Sequence, residues 1–128
     1  MSKLIAVING EATVEYDRVR ELPEQQMAYL DKMDEKMDQG IPLGQGNIFS
    51  PQMEHKAQFV ANQLVSAIAE NNEQLIAAAM AYLANRLPDL QQITADEKES
   101  ETTIKLVYDK AYTEEQTVQF VRPENLNS

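Results

Sequence analysis

Asn9-Gly10 constrains this chain more than any other pair of residues, because two apolar-rich runs flank it within the segment Lys3 to Val19. A two-residue hairpin turn of type I′ needs φ > 0 at both positions, and Asn and Gly adopt that conformation at least cost. The pair therefore predicts a β-hairpin. Its register follows from the loop length: Ile8 opposite Glu11, Val7 opposite Ala12, Ile5 opposite Val14 and Lys3 opposite Tyr16. That register gathers Ile5, Val7, Ala12, Val14 and Tyr16 on one face and leaves Leu4, Ala6 and Ile8 on the other, with Glu11, Thr13 and Glu15.

A lone hairpin is not stable in water, so the rest of the chain must cover it. The middle reads as three helices. Pro23 opens the first, with Glu24 at the positive end of its dipole. Met27, Leu30, Met33, Met37 and Ile41 form its apolar stripe; Gly40 caps it and Pro42 forbids continuation. Leu43 to Asn47, with two glycines, reads as a loop. Ser50-Pro51 is an N-cap followed by a first-turn proline, and the second helix carries the stripe Met53, Ala57, Val60, Leu64 and Ile68 to about Glu70. Asn71-Asn72 breaks the pattern and caps a third helix, Glu73 to about Leu87, ahead of Pro88. That helix is apolar almost all round, which predicts a central position.

Ala95 to Glu101 is acidic and polar, a linker by composition. Thr102 to Tyr108 and Thr117 to Val121 alternate as two strands around a loop at Asp109 to Gln116, and a frayed tail follows Arg122. The expectation is a single α+β domain over residues 1–122 with a tail at 123–128 and the order ββ-ααα-ββ. Its two hairpins join in one antiparallel four-stranded sheet with the helices on one face. The alternative is that the hairpins pair with another subunit through their open edges.

The 128 residues suffice for one hydrophobic core, and with 43% hydrophobic and 25% charged residues the chain is composed like a globular protein. It has no cysteine, which excludes disulfides, thiolate metal sites and a cysteine nucleophile. The longest apolar stretch, Leu75 to Ala84, is about half a membrane span, so no membrane partner is expected. The first residues resemble a signal peptide only until Asn9-Gly10-Glu11 ends the apolar run, and a cytoplasmic protein is expected. With 21 acidic against 11 basic residues and a net charge of −10, the chain repels phosphate backbones, so direct nucleic-acid binding is not expected. The charge reads first as a device for solubility. An acidic decoy of a basic, nucleic-acid-binding protein is the sharper alternative.

Signatures of bond chemistry are missing. There is no phosphate-binding loop, no dinucleotide fingerprint and no nucleophile elbow. His55 is the only histidine and has no second nitrogen ligand or catalytic partner beside it, so a packed or exposed side chain is its simplest role. Asp31, Asp34, Glu35 and Asp38 fall within a sector of about 100° on the first helix. They read as a solvated face, with a surface cation site as the alternative; no metal or cofactor is expected. The methionines of the first helix read as core, with an adaptable binding groove as the alternative.

Phe59 breaks its own pattern. It lies opposite the apolar stripe of the second helix, on a polar face with His55, Asn62, Gln63 and Ser66. A large aromatic there marks either a covering element or an interface. The expected function is a small, acidic, non-enzymatic interaction or regulatory module. It is expected to self-associate or bind a protein partner through this face. The alternative is a small-ligand or enzymatic domain with a pocket between helices and sheet, where Tyr16, Tyr82, Tyr108 and Tyr112 supply polar handles.

Overall fold

Asn9 (φ 52°) and Gly10 (φ 86°) both adopt the left-handed conformation that the type I′ turn requires. They join β1 (Lys3–Ile8) to β2 (Glu11–Asp17). The computed structural model describes residues 3–18, 23–43 and 46–109. Ile8 opposes Glu11 and Val7 opposes Ala12, as the turn dictates, but the pairing then shifts between Ala6 and Val7. Thr13 is the extra residue of a β-bulge, after which Ala6 opposes Val14 and Leu4 opposes Tyr16. A one-residue slip exchanges the faces of a strand. Leu4 and Ala6, fully buried, therefore share the core face with half-buried Val14 and Tyr16. Ile5 and Val7, expected there, lie on the opposite face.

The helices follow the punctuation closely. α1 (Glu24–Asp38) begins after Pro23, and Gly40, at φ 130°, ends it beyond the Gln39 cap. Ile41 does not continue the stripe of α1. It starts β3 (Ile41–Leu43), which pairs antiparallel with β4 (Gly46–Ile48) in a small second sheet where a loop was expected. α2 (Met53–Glu70) starts later than Ser50-Pro51 suggests. Its N-cap is Gln52, which forms a reciprocal capping box with His55, while Ser50 takes a left-handed φ of 53°. Asn71, at φ 59°, closes α2, and the Asn72 side chain accepts from the Leu75 N–H to open α3 (Glu73–Arg86).

The segment from Ala95 to Glu101 is no linker. β5 (Gln92–Lys98) turns at Glu99, left-handed at φ 57°, into β6 (Glu101–Val107). The second hairpin is thus displaced toward the N-terminus, and the predicted strand Thr117 to Val121, Tyr112 and the tail lie outside the described residues. The α+β class and the order ββ-ααα-ββ hold, with β3–β4 as an inserted hairpin. The main sheet runs β2-β1-β5-β6, and its central pair, β1 with β5, is parallel. The sheet is therefore mixed where an all-antiparallel one was expected. A parallel neighbour needs a long crossover, and the three helices between the hairpins supply it. Asn9 reinforces the junction: its N–H donates to the Ala95 carbonyl, and its Oδ1 accepts from the Glu97 N–H, both at 2.8 Å.

α2 and α3 cover the face of the sheet that bears Leu4, Ala6 and Ile93, with α2 reaching β6 and α3 reaching β2. Ala79 through Ala84 are buried without interruption, the signature of a helix enclosed on more than one side. Arg18 fixes the end of α3 to the end of β2. Its Nε and Nη2 donate to the carbonyls of Ala84 and Leu87 at 3.2 and 2.9 Å, satisfying groups that no helical N–H can reach.

Candidate functional site

α1 is the least anchored of the three helices. Glu24 to Tyr29 are all exposed, and only Leu30 and Met37 are buried, with Met33 half-buried against the core. What ties α1 down on one side is a chain of alternating charges. Arg86, in the last turn of α3, donates to Asp31 at 2.7 Å and to Asp34 at 3.0 Å. Lys56, in the first turn of α2, reaches Asp34 at 3.2 Å and Asp38 at 2.8 Å. The Tyr82 hydroxyl donates to the same Asp34 oxygen that Lys56 contacts, and the Arg86 guanidinium lies 5.8 Å from the Tyr82 ring centroid. Asp34 is the hub of all three helices.

Burial pushes the Asp34 carboxyl up, but hydrogen bonds from Tyr82, Lys56 and Arg86 outweigh it and hold the group below its ordinary value. For Tyr82, burial and the Asp34 carboxylate act together and raise the phenol well above its ordinary value. Burial lowers Lys56 and Arg86, and their carboxylate partners more than reverse this, leaving both raised. Around neutral pH Tyr82 is thus neutral, and Asp34 is ionised between two cations. A protonated, hydrogen-bonded Tyr82 is a structural donor and not a nucleophile.

The predicted acidic set is brought together only in part. Asp31, Asp34 and Asp38 engage Arg86 and Lys56, while Glu35 is exposed and takes no part in these ion pairs. Among the described residues no group of three histidines or carboxylates is placed to hold a metal ion. Lys56 and Arg86 were not foreseen. Lys56 carries a visible signal, since it falls one turn before Val60 on the inward side of α2 and only an internal counter-ion tolerates a cation there.

On the other side of α1 the packing is incomplete. A cavity of about 420 Å³ opens between α1, β3, α2 and the start of α3, walled by Met33, Met37, Ile41, Phe59 and Leu75 with Tyr29, Lys36, Gly40 and Gln63. Tyr29 also lines a neighbouring cavity of about 370 Å³, where Ala77, Ala78 and Ala81 of α3 face Gln25 and Gln26. Gln26, Ala77 and Ala81 then reach a third, of about 300 Å³, against Val14 and Tyr16 of β2. Shared walls make the three a continuous belt. Gly40 lies between the first cavity and Phe49: a Cβ at Gly40 would stand 2.9 Å from the Phe49 ring, which is itself 71% exposed.

Of the five residues on the polar face of α2, Phe59 and Gln63 line this belt. Phe59 is half-buried, with part of its ring on the core. His55 is engaged in the cap of α2, its Nδ1 accepting from the Gln52 N–H at 3.3 Å. Asn62 accepts from Gln58 at 3.1 Å, and Ser66 is exposed. Tyr16 and Tyr82 are engaged, with Asn85 and Asp34, whereas Tyr108 is exposed. Tyr29 and Phe49, prominent in and beside the belt, carried no signal, because exposure of a single aromatic is not encoded in periodicity. Compared with models of known protein families, with curated proteins and with solved structures, the chain matches none.

Proposed function

We propose that this chain is a small non-enzymatic interaction module that binds a protein partner, a second copy of itself first among them, along the belt beside α1. The observation that carries the reading is the continuity of underfilled apolar surface from Phe49, across Gly40 and Phe59, to Tyr29 and the alanines of α3. Phe49 is 71% exposed and Tyr29 52%. Large aromatics at the edge of a groove are the residue types that dominate binding energy once a partner excludes water from them. The reading is also supported by what the polar groups are doing. His55 caps a helix and Tyr82 is locked to Asp34, so neither is poised for proton transfer. Asp31, Asp34 and Asp38 neutralise Arg86 and Lys56, which argues against α1 as a phosphate-like acidic strip for a decoy.

The test is sedimentation of the full chain across a wide concentration range, with Tyr29→Ser and Phe49→Ser compared with the parent. Concentration-dependent association that both substitutions weaken, at unchanged monomer melting temperature, supports the reading. A parent that stays monomeric throughout removes self-association. Retention of every native-host protein partner by the double variant removes the module reading altogether.

A further inference from the structure

We infer that the cavity between α1, β3 and α2 is a binding site for a small amphiphilic anion, an apolar chain or ring that ends in a carboxylate. Its volume of about 420 Å³ lies in the range of small-molecule sites, which are mostly apolar with a few convergent polar groups. Met33, Met37, Phe59 and Leu75 supply the apolar walls. Two of the four are methionines, whose flexible thioethers adapt to more than one shape. Lys36, Gln63 and Tyr29 supply the polar groups, and the only charge among the lining residues is positive.

Acids outnumber bases 21 to 11 in the chain, yet none of them lines this cavity. Lys56 and Arg86 are committed to the aspartates of α1 and Arg18 to the carbonyls ending α3, while Lys32, the other lysine of α1, lines none of the three cavities. Lys36 makes no ion pair among the described residues. At 100° per residue it stands about 200° around α1 from both Asp34 and Asp38 and about 100° from Glu35, and no acid of its own helix lines the cavity. An acidic ligand finds here an apolar wall with an uncompensated ammonium beside it. The net charge of −10 otherwise opposes its approach. Gln63 donates to the second carboxylate oxygen, and the Tyr29 hydroxyl serves either role. The site does not rest on the interaction reading, because a monomeric chain presents all of it.

The experiment is calorimetric titration of the full chain, at concentrations where it sediments as a monomer, with decanoate, 2-naphthoate, decanol and decyltrimethylammonium below their micelle concentrations. One saturable site is expected for decanoate or 2-naphthoate, and the tighter of the two names the apolar body. Decanol is expected to bind about tenfold more weakly than decanoate, the loss of one charge-assisted contact. The ammonium is expected not to bind. Lys36→Gln is expected to abolish the preference of carboxylate over alcohol, and Lys36→Arg to restore it. No saturable binding by either carboxylate, equal binding of decanoate and decanol, or an unchanged preference in Lys36→Gln overturns the proposal. None of these outcomes depends on whether the chain associates.

Discussion

Arg86 Nε meets Asp34 Oδ2 at 3.0 Å, joining the end of α3 to the middle of α1 across 52 positions of sequence. The Asp34 side chain is 22% exposed, against 69% for Asp31, the other partner of Arg86. The two aspartates therefore differ in what their charge is worth. Removing one member of a well-shielded ion pair leaves the others uncompensated, whereas exposed pairs contribute little. Asp34→Asn, which also leaves Lys56 with Asp38 alone, is expected to cost about 1–3 kcal/mol. Asp31→Asn is expected to cost less than about 1 kcal/mol. Urea melts of the two variants check this, and equal losses would show that the hub adds nothing to the pairs at its ends.

The same cluster sets the pH limits of stability. Asp34 is held below its ordinary value in the folded chain. Its contribution is complete above the unfolded carboxylate value of about 4 and is lost as pH falls through that value toward the folded one. Tyr82 is raised, by burial first and then by Asp34. Folding favours the neutral phenol, so this contribution is complete below about pH 10 and is lost as the unfolded phenol begins to ionise above it. Lys56 and Arg86, also raised, keep theirs below their own unfolded values and lose it as pH rises above them. Urea midpoints are expected to be flat between these flanks. Tyr82→Phe is expected to lower the plateau and make the alkaline flank shallower. A flank of unchanged steepness would assign alkaline unfolding to other groups.

The turn at Asn9-Gly10 makes a separate prediction. Nothing lies within 4 Å of a Cβ placed on Gly10, so a side chain there meets no neighbour and the cost of substitution is purely one of φ 86°. Gly10→Val is expected to destabilise the fold by about 1–3 kcal/mol, since β-branched residues resist the left-handed region. Asn9→Ala acts by another route, leaving the Glu97 N–H without its acceptor. Amide hydrogen exchange at Glu97 is expected to accelerate in Asn9→Ala beyond any global loss of stability. Unchanged protection there would mean that the parallel β1–β5 pairing needs no help from the turn.

The parts of the fold legible in sequence were those written in local backbone chemistry. Asn9-Gly10, Pro23, Gly40 and Asn71-Asn72 each mark a real boundary, because φ preferences and missing N–H groups act within a few residues. The bulge at Thr13 was not legible: nothing about a threonine marks an unpaired residue, and one such residue reverses the faces of β1. The turn at Glu99 hid for a similar reason, as glutamate rarely takes φ 57°, and the acidic run around it masks a strand as a linker. Asp31, Asp34 and Asp38 were visible as a cluster, but their partners lie on other helices. The sign of the charges facing them was therefore out of reach.

Phe59 and Leu64 separate the two sides of α2, though less cleanly than helical angles suggest. At 100° per residue Leu64 lies about 20° from Met53 and Phe59 about 240° round, which predicts core for one and an exposed interface for the other. Leu64 is fully buried. Phe59 is half-buried, with part of its ring on the core and part on the cavity. Leu64→Ala removes buried methyl groups and leaves a void, at an expected cost of about 2–5 kcal/mol. Phe59→Ala is expected to cost about 1–2 kcal/mol, the share of a large apolar side chain that is withdrawn from water. Beyond that loss, Phe59→Ala is expected to weaken self-association, while Phe59→Leu retains most of both. Thermal and urea melts give the first quantity, and sedimentation at several concentrations gives the second. Equal destabilisation by the two alanine variants would make the cavity wall plain core. A Phe59→Ala chain with parental stability and association would leave the ring with no part in either.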